Sequence, residues 1–227
     1  MRNNVAVFIF GTPGAGKGTQ ANLLEWTKGF YHFDSGKELR AILHDPHRQD
    51  EPLIKRERKL NETGVLNTPR WVLSMFKKEA RKIAKAGMSI VYSGSPRTMY
   101  EAFGTDKVVG LVQFLEKIYG QGNVIAFYLD VDPTIAAGRN KIRRTCTVCT
   151  NPVLGDAPVT VCPICEGELK IRVDDNPETY KTRYAEYTTR TLPILDELKK
   201  RGLEVTKLDG AQKPPAIYKQ ILEKLGY

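Results

Sequence analysis

Short apolar runs alternate with longer amphipathic stretches along most of this chain. The alternation is typical of a parallel β-sheet covered by helices, because the strands are buried on both faces and each connecting helix keeps one polar face. The pattern predicts strands at residues 5–10, 31–33, 88–92, 125–129 and 203–208. It predicts helices at residues 18–28, 36–43, 68–86, 107–119, 133–141, 178–201 and 215–225. We therefore expect an α/β fold with a parallel sheet flanked by helices.

Two regions interrupt this alternation. Residues 45–68 are polar with a mostly helical pattern, and residues 143–175 are rich in Pro, Gly and Cys. Ligands of open α/β sheets bind beyond the carboxyl ends of the strands. We expect both regions to be insertions at that ligand-bearing edge.

The first predicted strand leads into a glycine-rich turn at residues 11–19, which read GTPGAGKGT. Glycines let backbone N–H groups turn inward around a polyphosphate, the following helix adds a favourable dipole, and Lys17 supplies a positive charge. Gly18 separates Lys17 from Thr19, whereas a hydroxyl residue usually follows the lysine directly. The order of strand, loop and helix predicts a phosphate-binding P-loop rather than a ligand-free turn.

Length and charge narrow the possible classes of protein. The 227 residues, 41% of them hydrophobic, suffice for one ordinary core with a small insertion. The net charge of +9 suits polyanionic partners such as nucleotides, nucleic acid or a membrane surface, without choosing among them. The apolar runs are too short for a signal peptide or a membrane span. We expect a cytoplasmic protein.

Four cysteines form two close pairs in the second insertion. Cys146 and Cys149 are separated by two residues, as are Cys162 and Cys165, and twelve residues lie between the pairs. This spacing can present four thiolates tetrahedrally to Zn²⁺, although the central gap is slightly shorter than the commonest range. The alternatives are two disulfides or four small buried side chains. With every coordination position filled by protein, such a site is structural.

Several motifs together resemble adenylate kinases with a zinc-containing lid. They are residues 11–19, Ser35-Gly36 with Arg40, residues 94–98, Arg139 and Arg143, the four cysteines, Arg172 with Asp174-Asp175, and Arg183. The resemblance implies a P-loop core of residues 1–33, 68–137 and 177–227, a monophosphate-binding insertion at residues 34–67 and a mobile lid at residues 138–176. It also implies reversible phosphoryl transfer from ATP to AMP, with Mg²⁺ accompanying ATP and Zn²⁺ in the lid.

The same resemblance implies a set of site residues. Those that would bind ATP are Gly11, Pro13, Gly14, Ala15, Gly16, Lys17, Gly18, Thr19, Arg139 and Arg143. Those that would bind AMP are Ser35, Gly36, Arg40, Gly94, Arg97, Glu101, Arg172 and Arg183. Catalytic stabilisation of the transferred group would come from Lys17, Arg97, Arg139, Arg172 and Arg183. Arginine suits this chemistry because its planar fork binds phosphate oxygens bidentately and keeps its charge.

Three positions depart from the family pattern. Residues 93–97 read SGSPR, so Ser93 replaces an aspartate that helps hold hydrated Mg²⁺, and we expect weaker metal affinity. Glu101 stands where the family commonly has a glutamine that reads adenine. An ionised carboxylate only accepts hydrogen bonds and would better match guanine, unless Glu101 turns to solvent or to a nearby cation. Lys37 replaces an aspartate and is expected to be a solvated lysine.

Two other classes of function remain open on the sequence. A P-loop protein could grip nucleic acid through a basic zinc ribbon, but the second insertion lacks interleaved aromatic residues. The loss of an aspartate at Ser93 could mark a regulatory nucleotide-binding protein with little catalysis, although Lys17 and the motif arginines argue against it. We expect a monomer whose partners are ATP, AMP and ADP, with neither nucleic acid nor a membrane.

Overall fold

The computed structural model describes residues 4–171 and 177–227. Within them, a parallel sheet contains β1 (Ala6–Gly11), β2 (Tyr31–Phe33), β3 (Ile90–Ser93), β6 (Val124–Asp130) and β10 (Val205–Asp209), in the order β10-β6-β1-β3-β2. All neighbouring strands run parallel, which confirms the predicted α/β fold. The strand order reverses at β1, so the loop that follows β1 lies at the topological switch point where ligands of such sheets bind.

The central strand β1 is buried on both faces. Ala6, Phe8 and Phe10 pack into one hydrophobic core, while Val7 and Ile9 pack into the other. Burial on both faces explains why the sequence of β1 is a continuous apolar run rather than an alternating one. The two cores fix β1 rigidly and thereby position the glycine-rich loop at its carboxyl end.

Helices cover both faces of the sheet. They are α1 (Lys17–Lys28), α2 (Ser35–Leu43), α3 (Pro52–Glu62), α4 (Pro69–Lys85), α5 (Met99–Phe103), α6 (Leu111–Tyr119), α7 (Pro133–Ile142), α8 (Pro177–Glu186), α9 (Leu192–Lys200) and α10 (Pro214–Leu225). A 3₁₀ turn, Pro46–Arg48, precedes α3, in agreement with the helical pattern predicted for residues 45–68. Of the helices in the described part of the chain, none is both long and apolar enough to cross a bilayer.

The predicted helix at residues 107–119 is wrong at its beginning. β4 (Gly104–Thr105) and β5 (Val108–Val109) form an antiparallel pair, and the helix begins at Leu111. A Cβ atom on Gly110 would lie 2.3 Å from the carbonyl oxygen of Ala102, so only glycine allows the chain to pass this close to α5. The β-branched valines favour the extended pair over a helix.

The predicted helix at residues 178–201 is interrupted in its middle. A π-helical turn, Tyr187–Thr191, separates α8 from α9. Pro193 lies two residues after the end of the turn and has no N–H to donate to the carbonyl four residues earlier, where its ring would also clash. The wider turn accommodates the proline without breaking the direction of the chain.

The second insertion contains its own small sheet. β7 (Arg144–Cys146), β8 (Pro152–Val153) and β9 (Leu169–Ile171) pair antiparallel in the order β8-β7-β9. Arg144 supports this sheet, because its guanidinium donates to the carbonyl oxygens of Val159 at 2.6 Å and Ala157 at 2.7 Å. Arg172, Asp174 and Asp175 lie outside the described residues.

Candidate functional site

The glycine-rich loop connects β1 to α1 in the geometry that a P-loop requires. Gly14 and Gly16 have φ values of 88° and 90°, a left-handed conformation that side chains rarely adopt. A Cβ atom on Gly14 would lie 2.1 Å from the carbonyl oxygen of Ala136 on α7. The loop therefore depends on glycine both for its turn and for its close contact with α7.

Lys17 lies at the centre of this loop. Its Nζ donates hydrogen bonds of 2.8 Å to the carbonyl oxygens of Gly11 and Thr12. Burial lowers the pKa of the Lys17 ammonium well below its usual value, and the positive charges of Arg97 and Arg183 lower it further. Cations from distant parts of the chain thus converge on one point. A polyphosphate bound there would relieve their mutual repulsion.

Arg97 is fixed by its own backbone as well as by its side chain. Its Nε donates to the carbonyl oxygen of Gly94 at 2.9 Å, and its carbonyl oxygen accepts the hydroxyl of Thr191 at 2.9 Å. The amide N–H of Arg97 donates to Oε2 of Glu101 at 2.7 Å. These bonds hold the segment after β3 against α5 and the π-helical turn.

Arg139 on α7 binds backbone in this structure. Its guanidinium donates to the carbonyl oxygen of Gly210 at 2.6 Å and to that of Ala211 at 3.0 Å. The side chain thereby ties α7 to the loop that follows β10. Arg143 caps the end of the same helix and lies close enough to Lys17 to lower its pKa.

The beginning of α2 is locked to the loop after β3. Asp34 caps α2 by accepting hydrogen bonds from the amides of Gly36 at 2.9 Å and Lys37 at 3.1 Å. The hydroxyl groups of Ser35 and Ser95 lie 2.7 Å apart in a buried contact. Lys37 itself is exposed, as the sequence predicts.

Glu101 is buried, with 2% of its surface exposed. The idea that it turns to solvent is therefore wrong. Burial raises the pKa of its carboxyl group to about 7, despite the opposing hydrogen bond from the Arg97 amide. The carboxyl group is thus partly protonated near neutral pH, whereas the argument for guanine assumes a fully ionised carboxylate.

The charged residues described above line one cavity of about 1130 Å³. Of the residues predicted to bind nucleotides, every one in the described part of the chain lines it: Gly11, Pro13, Gly14, Ala15, Gly16, Lys17, Gly18, Thr19, Ser35, Gly36, Arg40, Gly94, Arg97, Glu101, Arg139, Arg143 and Arg183. Arg172 lies outside the described residues. The volume exceeds that of an ordinary small-molecule pocket, and a cationic cavity of this size suits more than one phosphate-bearing ligand.

A hydrogen-bonded chain beside this cavity was not predicted from the sequence. His32 on β2 joins Asn22 on α1 to Ser93 at the end of β3, with its two ring nitrogens 2.7 Å from Asn22 Oδ1 and 2.8 Å from Ser93 Oγ. Asn22 and Ser93 both line the cavity. Ser93 is 61 positions from His32 in the sequence, so only the fold brings it into contact with the other two residues.

The four cysteines form a compact cluster. All four are free thiols, and their sulfur atoms lie within 4.8 Å of one another. The sulfur of Cys146 is 3.4 Å from that of Cys165, and the sulfur of Cys149 is 3.6 Å from that of Cys162. Both distances are too long for disulfides. Amide groups of Val148 and Cys149 point at the Cys146 sulfur, so the cluster can bind a metal ion.

Comparison with known proteins agrees with this geometry. A family model described as an AAA domain matches residues 10–145. An adenylate kinase of Rhizorhabdus wittichii is 31% identical over 211 residues, which cover 90% of this chain and 91% of that protein. Adenylate kinases of Syntrophobacter fumaroxidans and Methanosarcina acetivorans are 30% and 28% identical, over 97% and 95% of this chain and 99% and 95% of their own lengths. Relatives that match almost end to end at this identity confirm the resemblance read from the motifs, and this chain belongs to the adenylate kinase family.

Proposed function

We propose that this chain catalyses reversible phosphoryl transfer from ATP to AMP, which yields two molecules of ADP. The observation that carries the proposal is the convergence of Arg97, Arg143 and Arg183 on Lys17 within one cavity. Relatives named adenylate kinase match nearly the whole chain, so the nucleic-acid-binding and purely regulatory alternatives are not favoured.

The two nucleotides would occupy different parts of the cavity. The P-loop and Lys17, with Arg139 on α7 and Arg143 at the end of that helix, form the part suited to ATP. The beginning of α2, the segment after β3 and Glu101 form the part suited to AMP, with Arg40 and Arg97 as its cations. Arg183 reaches the cavity from α8 and lies beside Gly64 of the first insertion, which supports a role between the two nucleotides.

Phosphoryl transfer needs positioning and charge stabilisation more than covalent chemistry. Negative charge develops on the equatorial oxygens of the transferred group while the donor and acceptor oxygens stand in line with it. Cations that are already fixed by other bonds stabilise this charge without reorganising. Arg97, held by Gly94 and Thr191, meets that requirement. Water must be kept out because it competes with AMP for the phosphoryl group.

Mg²⁺ would accompany ATP, where it neutralises phosphate charge. The P-loop part of the cavity offers the hydroxyl group of Thr19 as a ligand and that of Ser93 as a hydrogen-bond acceptor for the water molecules of the ion. These neutral groups suit a Mg²⁺ that keeps most of its water molecules and is held chiefly by phosphates. The residues present therefore fit the ion, with weaker protein contacts than a carboxylate would give.

We propose Zn²⁺ as the metal of the cysteine cluster. Four thiolates around Zn²⁺ at about 2.3 Å place their sulfur atoms about 3.8 Å apart. The observed separations of 3.4 Å and 3.6 Å are close to that value. The ion would be structural, joining β7 to the turn before β9 and holding a small sheet that has little hydrophobic core of its own.

The test is an assay of the purified protein with Mg·ATP and each of AMP, GMP, CMP and UMP, with the products resolved by chromatography. We expect ADP to form from ATP only when AMP is present. Lys17→Met should lower the rate by at least about a hundredfold, since it removes a charge at the phosphates. Lys85→Met, at an exposed position at the end of α4, is the matched control. Transfer that prefers GMP, or ATP binding without turnover, would contradict the proposal.

A further inference from the structure

Asn22, His32 and Ser93 form a continuous hydrogen-bonded chain that ends at the cavity. Nδ1 of His32 lies 2.7 Å from Asn22 Oδ1, and Nε2 lies 2.8 Å from Ser93 Oγ. Each residue comes from a different element, namely α1, β2 and the end of β3. Both distances are typical of well-formed hydrogen bonds, so the imidazole is held at both ends.

The direction of these bonds follows from their chemistry. The structure turns Oδ1 of Asn22 toward Nδ1 of His32, and because an amide oxygen only accepts, this contact fits the tautomer with its proton on Nδ1. Nε2 of a neutral imidazole is then an acceptor, and the hydroxyl of Ser93 must donate to it. Ser93 has a single proton to give. Its oxygen lone pairs are therefore the only hydrogen-bonding capacity that it can offer to a ligand in the cavity.

The surroundings of His32 keep the ring neutral. Burial lowers its pKa and outweighs the acidic groups of Asp34 and Glu25, which raise it, while Lys37 lowers it further. Asn22 and Ser93 engage both ring nitrogens, and the Glu25 carboxylate instead accepts from the backbone amide of His32 at 3.4 Å. A neutral ring that donates from Nδ1 to Asn22 leaves Nε2 as an acceptor for the Ser93 hydroxyl.

Ser93 lies next to the phosphate-binding lysine. A Cβ atom on the adjacent residue, Gly94, would be 2.8 Å from Cε of Lys17. Ser93 and Lys17 both line the cavity. The oriented oxygen of Ser93 is thus placed where the phosphates of ATP and their hydrated cation would lie.

We propose that His32, held by Asn22, is a positioning residue that makes the Ser93 hydroxyl a dedicated hydrogen-bond acceptor for the hydrated Mg²⁺ of the bound nucleotide. This inference rests on the proposed function, because it assumes Mg·nucleotide in the P-loop. A free serine hydroxyl could instead turn its proton toward the cavity and repel the protons of metal-bound water. By accepting the proton of Ser93, His32 prevents this orientation. The neutral serine then only accepts hydrogen bonds from the cavity, as a carboxylate does.

A double-mutant cycle tests the inference. His32→Leu should weaken the binding of Mn²⁺·ADP, measured by electron paramagnetic resonance, by about tenfold, as expected when a group that orients a metal's surroundings is lost. It should also lower kcat while leaving KM for AMP nearly unchanged. His32→Gln, whose amide oxygen can accept the serine proton, should recover most of the loss. His47→Leu, at an exposed histidine, is the control.

The second arm of the cycle uses Ser93→Asp. An ionised carboxylate has no proton to direct, so His32→Leu should have less than about a twofold effect on Mn²⁺·ADP binding in that background. An equal loss in both backgrounds would overturn the inference and make His32 merely structural. Unfolding curves of each variant separate this outcome from a loss of folded protein.

Two further measurements do not depend on turnover. The ¹⁵N shifts of the His32 ring should show the proton on Nδ1, and a proton on Nε2 would overturn the inference. Mass spectrometry after incubation with Mg·ATP should find Ser93 unmodified. A phosphoryl group on Ser93 would mean that the chain activates a nucleophile instead. Both results remain decisive if the protein fails to phosphorylate AMP, so failure of the proposed function is distinguishable.

Discussion

Glu57 and Glu101 are both buried, yet their pKa values shift in opposite directions. Burial alone would raise the pKa of Glu57, but hydrogen bonds from the side chain and amide of Thr68, and from Arg56 and Asn67, lower it overall. At Glu101 burial outweighs the bond from the Arg97 amide, and the pKa rises to about 7. Glu57 therefore serves as an ionised anchor between α3 and α4, while Glu101 is poised to lose its proton.

Glu101→Gln should stabilise the protein at alkaline pH. The folded pKa of about 7 lies above the unfolded value of 4.5, so the folded state binds more protons in that interval and loses stability as pH rises through it. The full cost of ionising the buried group is about 3 kcal/mol, and glutamine avoids it. Melting temperatures should rise for the variant at about pH 8.5 and change little at about pH 5.

Glu223→Gln, at an exposed position on α10, controls for the change in net charge. An equal gain in melting temperature at both pH values would contradict a raised pKa.

The protonated carboxyl group of Glu101 also bears on base recognition, because it offers an O–H donor beside an acceptor, as an amide offers N–H. We therefore expect that a protonated Glu101 would suit adenine, whereas the sequence-based argument for guanine treated it as ionised.

At the scale of elements, the sequence predicts best what is encoded locally. β1, the P-loop and α1 follow one another without interruption, and their pattern of apolar run, glycines and lysine identified them correctly. The hairpin before α6 was missed because it depends on Gly110 passing close to Ala102, which no local pattern reveals. The His32 and Ser93 contact was missed for the same reason, since the two residues are 61 positions apart.

We predict that the contact between the P-loop and α7 contributes to the stability of the fold. Gly14→Ala would place a Cβ atom 2.1 Å from the Ala136 carbonyl oxygen in a backbone conformation that alanine rarely adopts, and should lower the free energy of unfolding by about 3 kcal/mol or more. Gly18→Ala is the matched control, because nothing lies within 4 Å of its Cβ position on α1 and alanine favours helix. Urea titration of both variants provides the measurement, and equal losses would contradict this packing.

Metal removal should affect the second insertion far more than the main sheet. The cysteine sulfurs join the turn after β7 to the turn before β9, so their metal would hold the small sheet closed. Chelation, or Cys149→Ser, should open the chain between residues 144 and 171 to limited proteolysis. Added Zn²⁺ should restore protection in the chelated protein but not in the variant. Cleavage that is independent of metal would count against a structural zinc site.

At the scale of the whole molecule, we expect charge to make closure of the cavity depend on ligand. Arg143 caps the end of α7, Arg97 follows β3, and Arg183 lies on α8, yet all three lower the pKa of Lys17. Bringing such cations together costs free energy unless an anion lies between them. We therefore predict that polyphosphate, by lying among these cations, favours a more closed cavity than the nucleotide-free protein has.

Small-angle X-ray scattering should detect this closure. With ATP and AMP both present and Mg²⁺ omitted to prevent turnover, the radius of gyration should fall by about 1 Å from the roughly 17 Å expected for a compact chain of this length. AMP alone carries too little charge to neutralise the cations and should have a smaller effect. Raised salt should weaken the response to nucleotide, because it screens both the repulsion among the arginines and their attraction to phosphate. An unchanged radius with both nucleotides bound would mean that the cavity is rigid, and water would then have to be excluded by the substrates themselves.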